Sequence, residues 1–435
     1  MLRLLISLAL AVLALPNPQQ TAAPRSTIPS GGQKFWPTWR GPQNTGVSAT
    51  AQPPTAWSET KNIRWKVELP GRGAASPIVW GDHVYVLTAV PADRAAGGQG
   101  VHRFLVMAFN RRDGKVVWQQ TAKEEAPHEG THQDFGTMAS PSALTDGEHL
   151  IASFESRGIY AYDMNGKLAW QKDLGDKRMR NEFGEGSTPA LYKDKLFVVW
   201  DHQAESFIVA LNKRTGEEIW RTKRDEIDSW ATPLVVEHEG RAQVVTGAMR
   251  GVRAYDAETG TLIWETGGLT MNPIPSPVAA DGLVYLMSGF RGNSLKAIRF
   301  GEAKGNITGT NAIAWTLDRD TPYVPSPLLY DGILYFLKSN NALISAFEAK
   351  TGKPLYQAQR IEGLPSNVFA SPVGAAGRIY VLGQEGTAVV LKQGPVVEPL
   401  ATNKLDDRFD ASPALVDGEI FLRGYKNLYC VAEGR

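Results

Sequence analysis

Residues 254–264 read AYDAETGTLIW: a strand-like run, a polar turn at Asp256 through Gly260, and a second run that ends on an indole. Reduced to its fixed positions, the phrase is A-x-D-x-x-T-G-x-x-x-W, carried by Ala254, Asp256, Thr259, Gly260 and Trp264. It recurs at Ala210, Asn212, Thr215, Gly216 and Trp220, with Asn in place of Asp. Ala108, Asn110, Asp113, Gly114 and Trp118 keep the frame, and Ala346, Thr351, Gly352 and Tyr356 close it on a tyrosine. Ala161, Asp163, Gly166 and Trp170 are spaced one residue tighter. Each part has a physical task. The Asp or Asn side chain caps the turn, Gly supplies positive φ, Ala leaves room for a ring, and the indole buries a large apolar face while its N–H seeks a carbonyl.

A second signal runs in phase with the first. A hydroxyl residue, a proline and then an apolar run occur at Ser76, Ser140, Thr188, Thr232, Ser276, Ser326, Ser371 and Ser412. After most of these anchors come an apolar run, a D-G-type turn such as Asp281-Gly282 or Asp331-Gly332, a second run, and then the hairpin of the opening phrase. The runs are short and rich in Val, Ile, Leu and Tyr, with no sustained helical period between capping residues, which predicts antiparallel hairpins. Four short strands per unit of roughly 40 to 50 residues is the period of a propeller blade. The eight anchors therefore predict an all-β, eight-bladed β-propeller of four-stranded antiparallel blades over residues 62–435.

The last unit, SPALVDGEIFLRGYKNLYCVA, reaches only its third strand before the chain stops. The run NIRWKVEL at 62–69 carries the indole Trp65 and supplies the missing outer strand. Pairing of this N-terminal strand into the last blade closes the ring and removes an open edge. The aromatic ends of the repeat are thus Trp65, Trp118, Trp170, Trp220, Trp264, Trp315 and Tyr356.

The 435 residues are 43% hydrophobic and 21% charged, with a net charge of +1, which gives no global field for nucleic acid. The single Cys430 excludes an internal disulfide and a cysteine-based zinc cluster. Arg3 followed by an apolar run at 4–15, ended by Pro16 and Pro18, reads as a signal peptide over residues 1–25 and is too short to span a bilayer. No cysteine follows it, so the expectation is a periplasmic or secreted protein that is not a lipoprotein, not membrane-spanning after signal removal, and monomeric. Residues 26–61 form an N-terminal extension whose FWPTWRGP stretch, at 35–42, is expected to pack across the propeller's base. The insertion at 91–100 is expected to be a surface loop.

The repeated tryptophan phrase resembles that of the pyrroloquinoline-quinone (PQQ) propeller superfamily, over residues from about 62 to 432. The WPxWRGP phrase is similar to the opening of many PQQ-repeat proteins of environmental bacteria. Within the superfamily, this chain resembles the quinone-free BamB-like members more than the quinoprotein dehydrogenases. The dehydrogenases carry Ca²⁺ ligands, a catalytic Asp and often a disulfide between adjacent cysteines, and the one cysteine here rules out the last. The phrase itself concerns blade packing and does not choose between a scaffold and an enzyme.

Other motifs carry little chemistry. HEGTH at 128–132 matches H-E-x-x-H, but Pro127 and Gly130 weaken the helix that a zinc site needs, so it reads as a polar interblade loop with no metal. There is no nucleophile elbow in a strand-to-helix setting and no phosphate-binding loop. Function is expected where the residues preceding each anchor converge on one rim of the channel: His132, Asp134, Arg180, Glu182, Asp228, Trp230, Asn272, Tyr323, Asn367 and Phe409, with Asp406 nearby. The mixture suits a polar ligand or a peptide. The expectation is a non-catalytic scaffold that binds an envelope or secreted protein, or a glycan, with no cofactor. The alternative is a PQQ- and Ca²⁺-dependent alcohol or sugar dehydrogenase.

Overall fold

Each hairpin of the repeat becomes the outer half of a four-stranded antiparallel blade, and eight such blades form the ring. The computed structural model describes residues 31–92, 100–365 and 367–434; residues 1–25, expected to be a signal peptide, and most of the insertion at 91–100 lie outside them. Blade 1 runs from Ile78–Trp80 at the channel to Val116–Glu125 at the periphery, and blades 2 to 7 follow in chain order. Blade 8 takes Ala414–Val416, Glu419–Arg423 and Asn427–Ala432 from the C-terminus, and Ile63–Glu68 from the far end of the chain. Trp65 pairs with Cys430 and Val67 with Leu428, so the ring is closed by strand exchange between the termini, as the sequence predicts. Two short strands lie outside the regular pattern. Val47–Ser48 adds in parallel to the inner strand of blade 7, and Gly305–Asn306 adds to the outer strand of blade 4.

The alanine of the phrase lies directly opposite the indole across the hairpin: Ala108 faces Trp118, Ala161 Trp170, Ala210 Trp220, Ala254 Trp264, Ala297 Trp315, and Ala346 Tyr356. Except at Trp264, whose Nε1–H donates to Gln243 of its own blade, the indole then reaches across to the turn of the next blade. The Nε1–H of Trp65 donates to Arg111 O at 2.9 Å, Trp170 to Lys213 O at 2.8 Å, and Trp315 to Ala349 O at 2.9 Å. The ring lies against the glycine of that turn, where an added Cβ would sit 2.6 Å from Trp170 at Gly216 and 2.5 Å from Trp220 at Gly260. Glycine therefore serves twice, for its φ near +72° and as a flat seat for the preceding blade's indole. Blade 7 has Ala401 at the indole position, and Trp57 of the extension lies beside Tyr380 of that blade instead, with ring centroids 6.4 Å apart.

The anchor hydroxyls have a common partner. Ser76 N–H donates to Ser142 Oγ, Ser142 N–H to Thr188 Oγ1, Thr232 N–H to Ser276 Oγ, Ser276 N–H to Ser326 Oγ, Ser326 N–H to Ser371 Oγ, Ser371 N–H to Ser412 Oγ, and Ser412 N–H back to Ser76 Oγ, all at 2.8–3.0 Å. Between blades 3 and 4 the bridge is Ser187 Oγ to Ala231 O at 3.1 Å. At the other seven junctions the hydroxyl accepts the first amide of the neighbouring inner strand and staples the channel wall. This corrects one anchor. In the second unit Ser142, not Ser140, holds the equivalent place, because the Ser-Pro signal occurs two residues early in SPSAL and Ala143 stands where the other blades carry proline.

The extension forms a strap across the base. Trp36 pairs antiparallel with Val79 of blade 1 and is fully buried. Pro37 O then accepts Thr145 N–H of blade 2, Thr45 O accepts Leu329 N–H of blade 6, and Gly46 O accepts Gly374 N–H of blade 7. Arg40, itself buried, donates to Pro327 O at 2.5 Å and Pro372 O at 3.0 Å. Packing of FWPTWRGP across the base, expected from the sequence, is what the structure has.

Candidate functional site: the crown of the channel

The inner strands start at the mouth opposite the strap, and the interblade loops that precede them form a crown. Two buried charge networks fix these loops. In the loop after blade 3, Arg224 makes a bidentate pair with Asp201 at 2.7 and 3.0 Å and also donates to Thr246 Oγ1 and the Tyr255 hydroxyl. Ser229 Oγ donates to the same Asp201, which places Asp228 and Trp230 beside the mouth. Asp228 accepts from the Arg180 amide at 3.1 Å and its Nε at 3.2 Å, and Trp230 Nε1–H donates to Gly184 O at 2.8 Å. In the loop after blade 2, Lys177 donates to Glu155 at 2.5 Å and lies over the Trp200 ring, while Arg157 pairs with Glu185. Burial, with Glu185 nearby, pushes the Glu155 carboxyl up to about 7 despite the opposing Lys177.

The loop joining blades 1 and 2, residues 126–139, arches over the mouth. It contains no helix, so the H-E-x-x-H match lacks the geometry of a zinc site. Its members face separate partners: His128 Nε2 lies 2.7 Å from Lys177 O, and Glu129 accepts Met179 N–H at 2.9 Å. His132 lies between Phe183 and Phe135, with centroids at 5.1 and 5.0 Å. Phe135 stacks on Phe369, which precedes blade 7, at 4.7 Å, and remains 40% exposed. Arg408 lies over both Phe135 and Tyr425 and donates to Asp134 O at 3.0 Å, and Arg72 covers Tyr425 at 4.8 Å. An aromatic and guanidinium stack therefore bridges the mouth from blade 3 to blade 8.

Of the residues expected at the rim, His132, Asp134, Arg180, Glu182, Asp228 and Trp230 share this half of the crown, and Glu182 accepts the Gly130 amide at 3.2 Å. Tyr323 stacks on Phe290 at 4.6 Å, with its hydroxyl beside Asn272. Asn367 is exposed. Phe409 is fully buried against Tyr429 and belongs to the core. Asp406 is exposed, and its amide donates to Glu59. Sequence reading missed Phe135, Phe369, Arg408, Tyr425 and Arg72, which come together from distant units. Only the aromatic nearest each anchor offered a signal.

Below the crown the channel void is about 150 Å³, lined by the anchor hydroxyls, Trp230 and Phe369 on the crown side, and Trp39 of the strap. Its one carboxylate, Asp410, is held by Gln384 at 2.6 Å and by the Tyr425 hydroxyl. Among the described residues, Asp146, Glu148 and His149 also converge, outside this site, but Lys213 and Arg214 neutralise the two acids.

A family model described as outer membrane protein assembly factor BamB matches residues 42–200, 156–308 and 307–435. The chain is 25% identical over 305 residues to the tetrathionate hydrolase of Acidithiobacillus ferrooxidans, covering 65% of this chain and 56% of that protein, little more than half its length. It is 22% identical over 339 residues to the assembly factor BamB of Yersinia pestis, covering 76% and 70% of the two chains. The quinohemoprotein alcohol dehydrogenase of Comamonas testosteroni superposes with a TM-score of 0.64 at 11% identity, covering 92% and 81%, which is a likeness of fold.

Proposed function

This chain belongs to the family described as outer membrane protein assembly factor BamB, and from that membership we propose a non-catalytic scaffold of the cell envelope that holds another protein. The observation that carries the reading is the bridged mouth. The arch at 126–139 fills the place where a ligand would enter, and it presents an exposed Phe135 flanked by Arg408 and His132. Aromatic and arginine side chains on a rigid frame are the residue types that anchor protein interfaces. The channel does not fit PQQ. A void of about 150 Å³ is well below the roughly 300 Å³ at which ligand pockets begin, and its lining offers no cation for the quinone's carboxylates. A calcium ion takes six to eight oxygen ligands, whereas the single lining carboxylate is already held. Fold likeness to a dehydrogenase does not supply a site.

The proposed location is the periplasm or the outside of the cell, reached through the signal peptide. No helix among the described residues is long and apolar enough to cross a membrane. The test is cross-linking in intact cells followed by co-purification. The wild type is expected to bring down an outer-membrane assembly partner, and Phe135→Glu to lose it while its melting temperature stays unchanged. Retention of the same partner by the folded variant would remove the crown from the reading.

A further inference from the structure

The strap pairs with the ring in a regular way, and the pattern has a gap. In an antiparallel strand, alternate residues turn their N–H and C=O away from the partner strand. In the inner strand of every blade, the third residue after the anchor is one of these. The amides of Val79, Thr145, Leu329 and Gly374, in blades 1, 2, 6 and 7, all donate to strap carbonyls, those of Trp36, Pro37, Thr45 and Gly46. Adjacent strap residues serve adjacent blades, one residue per blade. At Thr38 the strap leaves the wall, passes Trp39 into the channel, and returns at Thr45. Blades 3, 4 and 5 are skipped.

The equivalent residues there are Leu191, Val235 and Ala279, with the same pairing parity beside two-residue turns. Among the described residues, no hydrogen bond from the strap reaches them. Of the three, Leu191 and Val235 are half-buried, whereas Ala279 is buried, as strap-covered Val79, Thr145 and Leu329 are. At Val235 and Ala279 the gap opens on a cavity of about 560 Å³ between the strap and blades 4 to 7, lined by Leu234, Ala279 and Leu329, whereas Leu191 lies outside it and faces Thr38, Trp39 and Asn44 across a void of about 30 Å³. Asp281 and Asp331 stand at its edge; Lys350 pairs with Asp281, and Asp331 makes no ion pair among the described residues.

We propose that this gap binds a main-chain segment of a partner protein that follows the curve of the ring as the strap does. Three consecutive carbonyls of the segment accept the amides of Leu191, Val235 and Ala279, an apolar side chain enters the cavity, and a Lys or Arg follows toward Asp331. The strap supplies the argument for the occupant, since its main-chain carbonyls satisfy this edge at one residue per blade, through a bend at Thr45 and Gly46 where it serves blades 6 and 7, and the open positions continue its interface. A glycan cannot repeat that spacing of carbonyls. This inference rests on the scaffold reading only in taking the occupant to be a protein.

The test is amide hydrogen exchange on the intact protein with a synthetic probe, acetyl-Thr-Val-Leu-Val-Lys-Thr-amide. Without the peptide, the amides of Leu191, Val235 and Ala279 should exchange far faster than those of Val79, Leu329 and Gly374. With millimolar peptide they should slow by roughly tenfold or more. Ala279→Pro removes one donor that the blade does not use, and should weaken peptide binding about tenfold, one hydrogen bond's worth, while Ala279→Val keeps it. Equal slowness without peptide would mean that the chain covers the edge itself, and unchanged rates at millimolar peptide would mean that the edge takes no strand. Either result overturns the proposal. The Phe135→Glu variant should still bind the peptide, so failure at the crown and failure at the base are separable.

Discussion

Gly260 and Gly332 have the same φ of +73°, yet an added Cβ meets Trp220 at 2.5 Å in the first and nothing within 4 Å in the second. Gly332→Ala isolates the backbone cost, about 1–2 kcal/mol for a non-glycine residue in the left-handed region. Gly260→Ala adds overpacking of the seat, about 1–3 kcal/mol more. Urea unfolding of the two variants measures the difference. Equal losses would mean that the indole does not need the glycine surface. The glycine's turn role was legible from the phrase, and its role as a seat was not, because the indole that it receives lies some 40 residues earlier, in the preceding blade.

Glu155 makes a second prediction at this scale. Its carboxyl is raised toward 7 by burial, so the folded state holds a proton more tightly than the unfolded chain, whose glutamates titrate near 4.3. The folded state is favoured at this group below about pH 4, and that contribution is lost as pH rises to about 7. Glu155→Gln cannot titrate. Its melting temperature relative to wild type should therefore rise between pH 4.5 and 7.5 and level off above. A difference independent of pH would show that Glu155 stays ionised against Lys177 throughout.

Among elements, the ring of anchor hydroxyls is the device that the sequence pointed to without explaining. Ser-Pro was readable as a strand start, but its hydroxyl was not readable as the acceptor for the neighbouring blade's amide. That misreading is local to SPSAL, where the motif letters and the structural register part by two residues. Ser142→Ala orphans the buried Ser76 amide and should cost about 1–3 kcal/mol, whereas Ser140, whose Oγ bonds within its own loop, should cost no more than about 1 kcal/mol as Ser140→Ala. Thermal unfolding of the pair checks the register, and the opposite ranking would restore Ser140 to the ring. The arch at 126–139 was read as an interblade loop, and its contacts with Phe369 and Arg408 lay beyond reading, since stacking between rings from units so far apart leaves no periodic trace.

At the scale of the whole molecule, closure was fully legible. A last unit one strand short and a tryptophan-bearing run at the start of the ring can be reconciled only by pairing Trp65 beside Cys430. Trp65→Ala removes the indole that seats blade 8 against blade 1 and should cost about 3–5 kcal/mol. It should also promote association, because a loosened closing strand exposes sheet edges. Light scattering across a concentration series reads this, and a variant that stays monomeric with an unchanged unfolding midpoint would place closure elsewhere. The same N-terminal chain closes the outer edge of blade 8, bonds to blades 1, 2, 6 and 7 at the base and places Trp39 in the channel, so the ring is braced by its own first 40 or so described residues.

On the proposed reading, a ring braced in this way, with its mouth bridged and its channel narrowed to a void of about 150 Å³, holds a protein partner and not a quinone in the channel. Calorimetric titration of the protein with PQQ and Ca²⁺ tests that most directly. The account predicts no saturable heat. One-site uptake at micromolar affinity or tighter, with dye-linked alcohol oxidation by the loaded protein, would contradict it.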